Sequence, residues 1–210
     1  MPTPPASCMI VPLLTVLALA LGACGVDLVS DGSLVMTADP DVVGVDPDPI
    51  DLAVTTTTLD LLPPGERDIN GDNGSEINQV IANAVVDIEE FWTDQYPALY
   101  GSPYQPLSGE LWAIDSDADP EGIPCVVDSI DEVLYNAYYC PPDDAVAWDQ
   151  EFLIPEMEKQ FGEFTVAVVM AHEWGHVIQE RAGVDEPTIV AELQADCFAG
   201  AWVRHVRFDR

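Results

Sequence analysis

The chain has 210 residues, 48% of them hydrophobic, and sets 38 Asp and Glu against 6 Lys and Arg for a formal net charge of -32. That balance excludes nucleic acid as a partner, because neutralising phosphates takes clustered Lys and Arg. It would also repel anionic lipid headgroups, and by itself it reads as a strongly solvated surface that identifies no substrate.

At the front, Met9 to Ala23 is an apolar run too short and too early for a comfortable membrane span, and it ends in Leu21-Gly22-Ala23-Cys24. This tetrapeptide resembles a bacterial lipobox. The resemblance implies that 1–23 is a lipoprotein signal peptide, that cleavage falls ahead of Cys24, and that lipid on Cys24 anchors an extracytoplasmic protein to the bacterial cell membrane. One departure is that Met1 to Ser7 carries no Lys or Arg. Residues 24–74 follow, rich in Asp, Pro, Val and Thr, with Asp46-Pro47-Asp48-Pro49, Thr55 to Thr58 and Pro63-Pro64-Gly65, and with Arg67 as their only base. Such a composition builds no core, so a disordered acidic tether is expected, with room for a short strand.

Residues 75–210 are expected to form one domain, large enough for one hydrophobic core. Ser75 is a natural N-cap for a helix to Asp94, with Ile77, Val80, Ile81, Ala84, Val85, Ile88 and Phe91-Trp92 at helical spacing. Leu111 to Ile114, Ala137 to Cys140 and Val146 to Trp148 read as strands of a small antiparallel sheet, the last two joined through Pro141-Pro142-Asp143-Asp144. Within it, Ala145 to Asp149 is the expected edge strand for pairing with an extended peptide. Cys125 and Cys140 bracket a loop whose closure by a disulfide would contribute about 3 kcal/mol in the chain-entropy model. Cys197 is expected as a buried free thiol.

The strongest signal is His172-Glu173-Trp174-Gly175-His176, inside an apolar helix expected from about Glu163 to Ala182 with Gly183 as its stop. Histidines four apart on a helix lie about 6 Å along the axis and about 40° around it, so both rings can reach one metal ion. Glu173 stands beside them as a general base toward water. Trp174 projects away from the metal face, and Gly175 weakens the helix by about 1 kcal/mol against Ala, which suits close approach of another segment or of substrate. A second helix is expected from Pro187 to about Arg204. Counting from the short link at Gly183 to Glu186, His176 comes level with Glu192 and His172 with Asp196. Glu192 is then the third ligand, and Asp196 accepts the outward N–H of His172. Gln179 and Ala182 stand where a three-histidine metzincin would show Gly and His.

The run Ala171 to Gln179, then Ala191 to Gly200, with Tyr138-Tyr139-Cys140-Pro141 and Val146-Ala147-Trp148-Asp149 upstream, resembles the bacterial neutral zinc metallopeptidase family. The resemblance covers about Glu76 to Gly200. It implies an α+β, zincin-like domain with an active-site helix followed by a ligand helix, one Zn²⁺ per chain on His172 and His176, and Glu173 as catalytic base. Members of that family usually continue well past the Asp196-Cys197 segment, so a C-terminally shortened domain is expected. Candidates for an oxyanion donor within this chain are His205 and, from upstream, Tyr135, Tyr138 and Tyr139, with nothing in the spacing to select one.

Two functions fit these residues. One is a membrane-anchored zinc endopeptidase acting on peptide or protein substrates. The alternative is a non-catalytic zinc-binding lipoprotein with a structural or partner-binding role. Glu173 favours the former, because a structural zinc site needs no general base.

Overall fold

A computed structural model describes residues 66–184 and 187–209, together with the backbone of two short strands, β1 (Cys24–Leu28) and β2 (Leu34–Ala38), which pair antiparallel. Residues 1–23, read above as a signal peptide, and the stretch 39–65 lie outside the described residues. The segment read as a disordered tether therefore contains a hairpin. Its far end is also ordered, because β3 (Ile69–Asn70) joins the main sheet ahead of the expected boundary at 75.

Helix α1 (Glu76–Tyr100) opens at Ser75, whose hydroxyl accepts from the Asn78 N–H at 3.3 Å. The sequence reading stopped it at Asp94. The helix continues through Pro97 to Gly101, which adopts φ 71° and donates to the Pro97 carbonyl at 3.0 Å. The last turn holds because Tyr96 is buried there, its ring 4.6 Å from that of Tyr100 and 5.9 Å from that of Tyr104.

The sheet contains β4 (Leu111–Ile114), β5 (Ala137–Cys140) and β6 (Ala145–Asp149), in the order β3-β4-β6-β5. Only β5 and β6 pair antiparallel; β3 with β4 and β4 with β6 are parallel. The expectation of an antiparallel sheet is thus corrected to a mixed one: β5 runs opposite to β4, and β6, turning back beside it, lies between the two and so points the same way as β4. The edge assignment changes too. All five β6 residues are buried between neighbours, and β5 is the edge.

After β6 comes α2 (Leu153–Phe161), which the sequence reading did not predict, then α3 (Phe164–Ala182) and α4 (Thr188–Arg204). Pro187 caps α4 from outside rather than filling its first turn. Gly183, at φ 67°, ends α3 by donating to Glu180, while the Val184 N–H bonds the Gln179 carbonyl at 3.0 Å. The chain closes in a π-helical turn, His205–Asp209.

Helices α1, α3 and α4 pack on one face of the sheet around Trp92, Trp148, Trp174 and Trp202, all fully buried. Trp174 points into this core and donates to the Tyr104 hydroxyl at 3.1 Å, turned away from the histidine face. The other sheet face is covered by Ile123 and Val133 of the long excursion, packed on Ile114 and Ala147. Cys125 and Cys140 form a disulfide with Cα atoms 5.8 Å apart, tying that cover to β5. Cys197 is also disulfide-bonded, which corrects the expectation of a free thiol; its sulfur partner falls outside the residues whose side chains are described. Among the described residues no helix is long and apolar enough to cross a membrane.

Candidate metal centre

Helices α3 and α4 form the antiparallel hairpin that spacing required, and their approach is unusually close at one point. A Cβ added to Gly175 would lie 2.6 Å from the Ala195 Cα and 2.8 Å from its Cβ. Gly175 and Ala195 are the contact that lets a carboxylate on α4 reach the α3 histidines.

Those side chains do meet. Glu192 Oε2 lies 3.3 Å from His172 Nε2 and 3.7 Å from His176 Nε2, and the two imidazoles stand edge to face with centroids 5.0 Å apart. Ligand atoms of His172, His176 and Glu192 all fall within 4.8 Å of one another. The second nitrogen of each ring is also engaged. His172 Nδ1 is 2.9 Å from Asp196 Oδ1, and His176 Nδ1 is 2.9 Å from Gln179 Oε1. The Gln179 amide orientation is fixed by its Nε2, which donates to the Ala191 carbonyl at 2.6 Å, so its oxygen faces the ring. With both Nδ1 atoms donating to oxygen, both Nε2 lone pairs converge with the Glu192 oxygen on one point. Three electron-rich atoms crowd together only around a cation, and a two-nitrogen, one-carboxylate set suits zinc with an open fourth position.

Protons act as that cation when metal is absent. Burial alone would lower His172, but hydrogen bonds to Asp196 and Glu192, with the charge of Glu173 nearby, outweigh it and push the ring up to about 10. Burial is likewise outweighed at His176, chiefly by Glu192. Hydrogen bonds from His172 and then His176 hold Glu192 far below the usual carboxylate range.

Glu173 is buried beside the ligands, and its Oε2 accepts the Tyr139 backbone N–H of β5 at 3.1 Å. The four candidate oxyanion donors all have other contacts. Tyr138 donates to the Pro124 carbonyl at 2.8 Å, Tyr139 to Asp144 at 2.8 Å, Tyr135 stacks on Phe152, and His205 lies against Phe91. Beneath the site, Arg181 bonds both Asp144 oxygens at 2.7 and 2.8 Å and reaches the Tyr139 hydroxyl at 3.3 Å, binding the end of α3 to the β5–β6 turn. A second cluster, Cys125, Cys140 and Asp143, offers no thiolate because its sulfurs form the disulfide.

The family described as "Putative neutral zinc metallopeptidase" matches residues 22–189. The chain belongs to this family. The match ends before Glu192 and Asp196, so those two roles in the metallopeptidase site rest on the geometry above. An uncharacterized protein of Mycobacterium tuberculosis (strain ATCC 25618 / H37Rv) is 27% identical over 180 residues, covering 77% of this chain and 57% of its own length. An uncharacterized protein of Mycobacterium bovis matches to the same extent. The uncharacterized protein YpfJ of Escherichia coli (strain K12) is 32% identical over 87 residues, covering 33% of this chain and 30% of its own. The chain thus spans little more than half the length of the mycobacterial relatives. No solved structure matches it.

Sequence reasoning placed His172, Glu173, His176, Glu192 and Asp196 in the site, and the structure brings all five together. It missed Gln179, whose place three positions short of the helix end carried no signal by itself, and the Tyr139 N–H, since a main-chain donor leaves no mark in the sequence.

Proposed function

We propose that the protein is an extracytoplasmic zinc-dependent endopeptidase. The observation that carries this reading is a buried carboxylate beside the metal-binding histidines, with one oxygen held by the Tyr139 N–H, since a structural metal site would need no such group: Glu173 serves as the general base. Bound to His172, His176 and Glu192, zinc would supply a Lewis acid that polarises a peptide carbonyl and acidifies water. Glu173 takes the water proton and passes it to the leaving amine. The Tyr139 N–H keeps that carboxylate aimed, and Asp196 and Gln179 keep the imidazoles aimed. Because β5 is the sheet edge next to Glu173, an extended substrate pairs along it.

Export fits the Cys125–Cys140 disulfide, since such bonds persist in oxidising compartments. Anchoring through lipid on Cys24 is part of the same proposal and rests on Leu21-Gly22-Ala23-Cys24. An acylated thiol cannot also be a disulfide sulfur. Mass mapping of membrane-extracted protein should find lipid on Cys24; Cys24 joined to Cys197 would replace the anchor with a covalent hold on α4.

Glu173→Gln tests the chemistry. Zinc content should stay near one per chain, while chelator-sensitive cleavage of a broad peptide library should fall by about 10²- to 10⁴-fold. A zinc-loaded wild type that cleaves nothing would favour the non-catalytic zinc-binding alternative.

A further inference from the structure

Four residues before Tyr139, ahead of the start of β5, the chain takes a costly turn. Tyr135 has φ 61°, a left-handed conformation unfavourable for an aromatic residue, yet its ring is 68% exposed and stacks on Phe152 with centroids 5.0 Å apart. Asp149, fully buried, holds this arrangement. Its Oδ2 accepts the Tyr135 N–H at 2.6 Å, and its Oδ1 accepts the N–H groups of Glu151 and Phe152, each at 2.8 Å. The two aromatic residues and α2 enclose a cleft of about 540 Å³, lined also by Leu153, Met157 and Phe161. Phe161 is 42% exposed there. Hydrophobic side chains held open to solvent by a buried carboxylate mark a surface built for contact.

Tyr135 brings the cleft to the point where the chain enters the edge strand β5. The Asp149 N–H bonds the Asn136 carbonyl, so in the β5–β6 register residues 136, 138 and 140 face β6, while Ala137 and Tyr139 direct their backbone groups to the free edge. Tyr139 uses its outward N–H on Glu173. A peptide paired along this edge with its scissile bond at Glu173 reaches Tyr135 after roughly 13 Å of extended chain, at about 3.3 Å per residue. We propose that this cleft is a substrate subsite that receives an apolar side chain three to five residues from the bond cleaved; the proposal rests on the peptidase reading above.

The acids at the rim argue against a cationic occupant. Glu156 is engaged by Lys159 at 3.1 Å and by Gln160 at 2.7 Å, and Glu151 accepts the Ser116 N–H at 2.9 Å. What remains unengaged in the cleft is its aromatic and aliphatic surface.

The test walks a single Phe through an alanine-rich, soluble host peptide and measures kcat/KM with the zinc-loaded full chain, its Tyr135→Ala and its Phe161→Ala variants. In the wild type one position, three to five residues from the cleaved bond, should favour Phe over Ala by roughly 10- to 100-fold. Both substitutions should pull that ratio toward one, with zinc content and melting temperature unchanged since both rings are exposed. A flat profile in a wild type that cleaves, a preference for Lys or Arg at that position, or an undiminished ratio in both variants would overturn the subsite and leave the peptidase reading standing. A wild type that cleaves no peptide removes both.

Discussion

Gly175 of α3 packs directly on Ala195 of α4, and the space between them does not admit one more methyl group. A Cβ at 175 would meet backbone, which cannot swing aside as the tip of a flexible side chain can. Gly175→Ala gains about 1 kcal/mol of helix propensity but must push α4 away, at a cost of about 1–3 kcal/mol. Displacing α4 also withdraws Glu192 from both histidines. The expected result is a folded protein with a lowered melting temperature and zinc affinity reduced further than stability alone explains. Chelator competition showing wild-type affinity would mean that the hairpin separation does not set the site.

Asp196 and Gln179 each hold one imidazole, from opposite helices and with different chemistry. Asp196→Asn replaces an acceptor-only carboxylate with an amide beside His172, and Gln179→Leu leaves the His176 Nδ1 without its partner. Each should weaken zinc binding by roughly 10- to 100-fold. Gln179→Leu should also loosen α4, because Gln179 bonds the Ala191 carbonyl and Gln194 as well. Hydrogen exchange near 188–195 should therefore rise in Gln179→Leu and stay unchanged in Asp196→Asn.

The site was legible where geometry follows from helix arithmetic. A rise and a rotation per residue were enough to set Glu192 and Asp196 against His172 and His176 across a short link. The sheet was less legible, since alternation of Val146, Ala147 and Trp148 shows a strand but not its neighbours, and β6 proved to be central rather than the edge. Helix α2 was missed because its stretch carries Pro155 and is apolar mainly where it meets α3 and β6. Tyr96 shows the same limit in α1: tertiary burial carried the helix past Pro97, where local propensity stops.

Arg181 should matter for stability more than its distance along α3 from the histidines suggests. Its guanidinium bonds Asp144 twice and the Gln105 carbonyl at 3.0 Å, with both charged side chains largely covered at 13% and 20% exposure. Arg181→Ala leaves the largely covered Asp144 without its counter-ion, at a cost of about 2–4 kcal/mol. Lys at 181 keeps the charge but cannot form the two parallel bonds, so it should recover only part of the loss. Urea unfolding of the two variants checks this; equal stability of Arg181→Ala and wild type would show the pair to be surface decoration.

Zinc must displace protons from this site, and the direction of that exchange fixes its pH dependence. In the metal-free chain His172 is pushed up to about 10, against an ordinary value of 6.5, and His176 is raised as well. A raised histidine stabilises the fold fully below its unfolded value and loses that contribution as pH climbs through the folded one. Metal-free protein should therefore lose stability between about pH 6.5 and 10. Zinc-loaded protein should show the reverse trend for binding, since deprotonation frees the Nε2 lone pairs and affinity rises over the same window. At pH 7 zinc binding should release about one proton from His172, with His176 adding to that count. Calorimetric titration in buffers of different ionisation enthalpy measures this directly. Asp196→Asn should release fewer protons than wild type, because it removes the carboxylate that holds the His172 proton; an unchanged count would show that His172 is already neutral before zinc arrives.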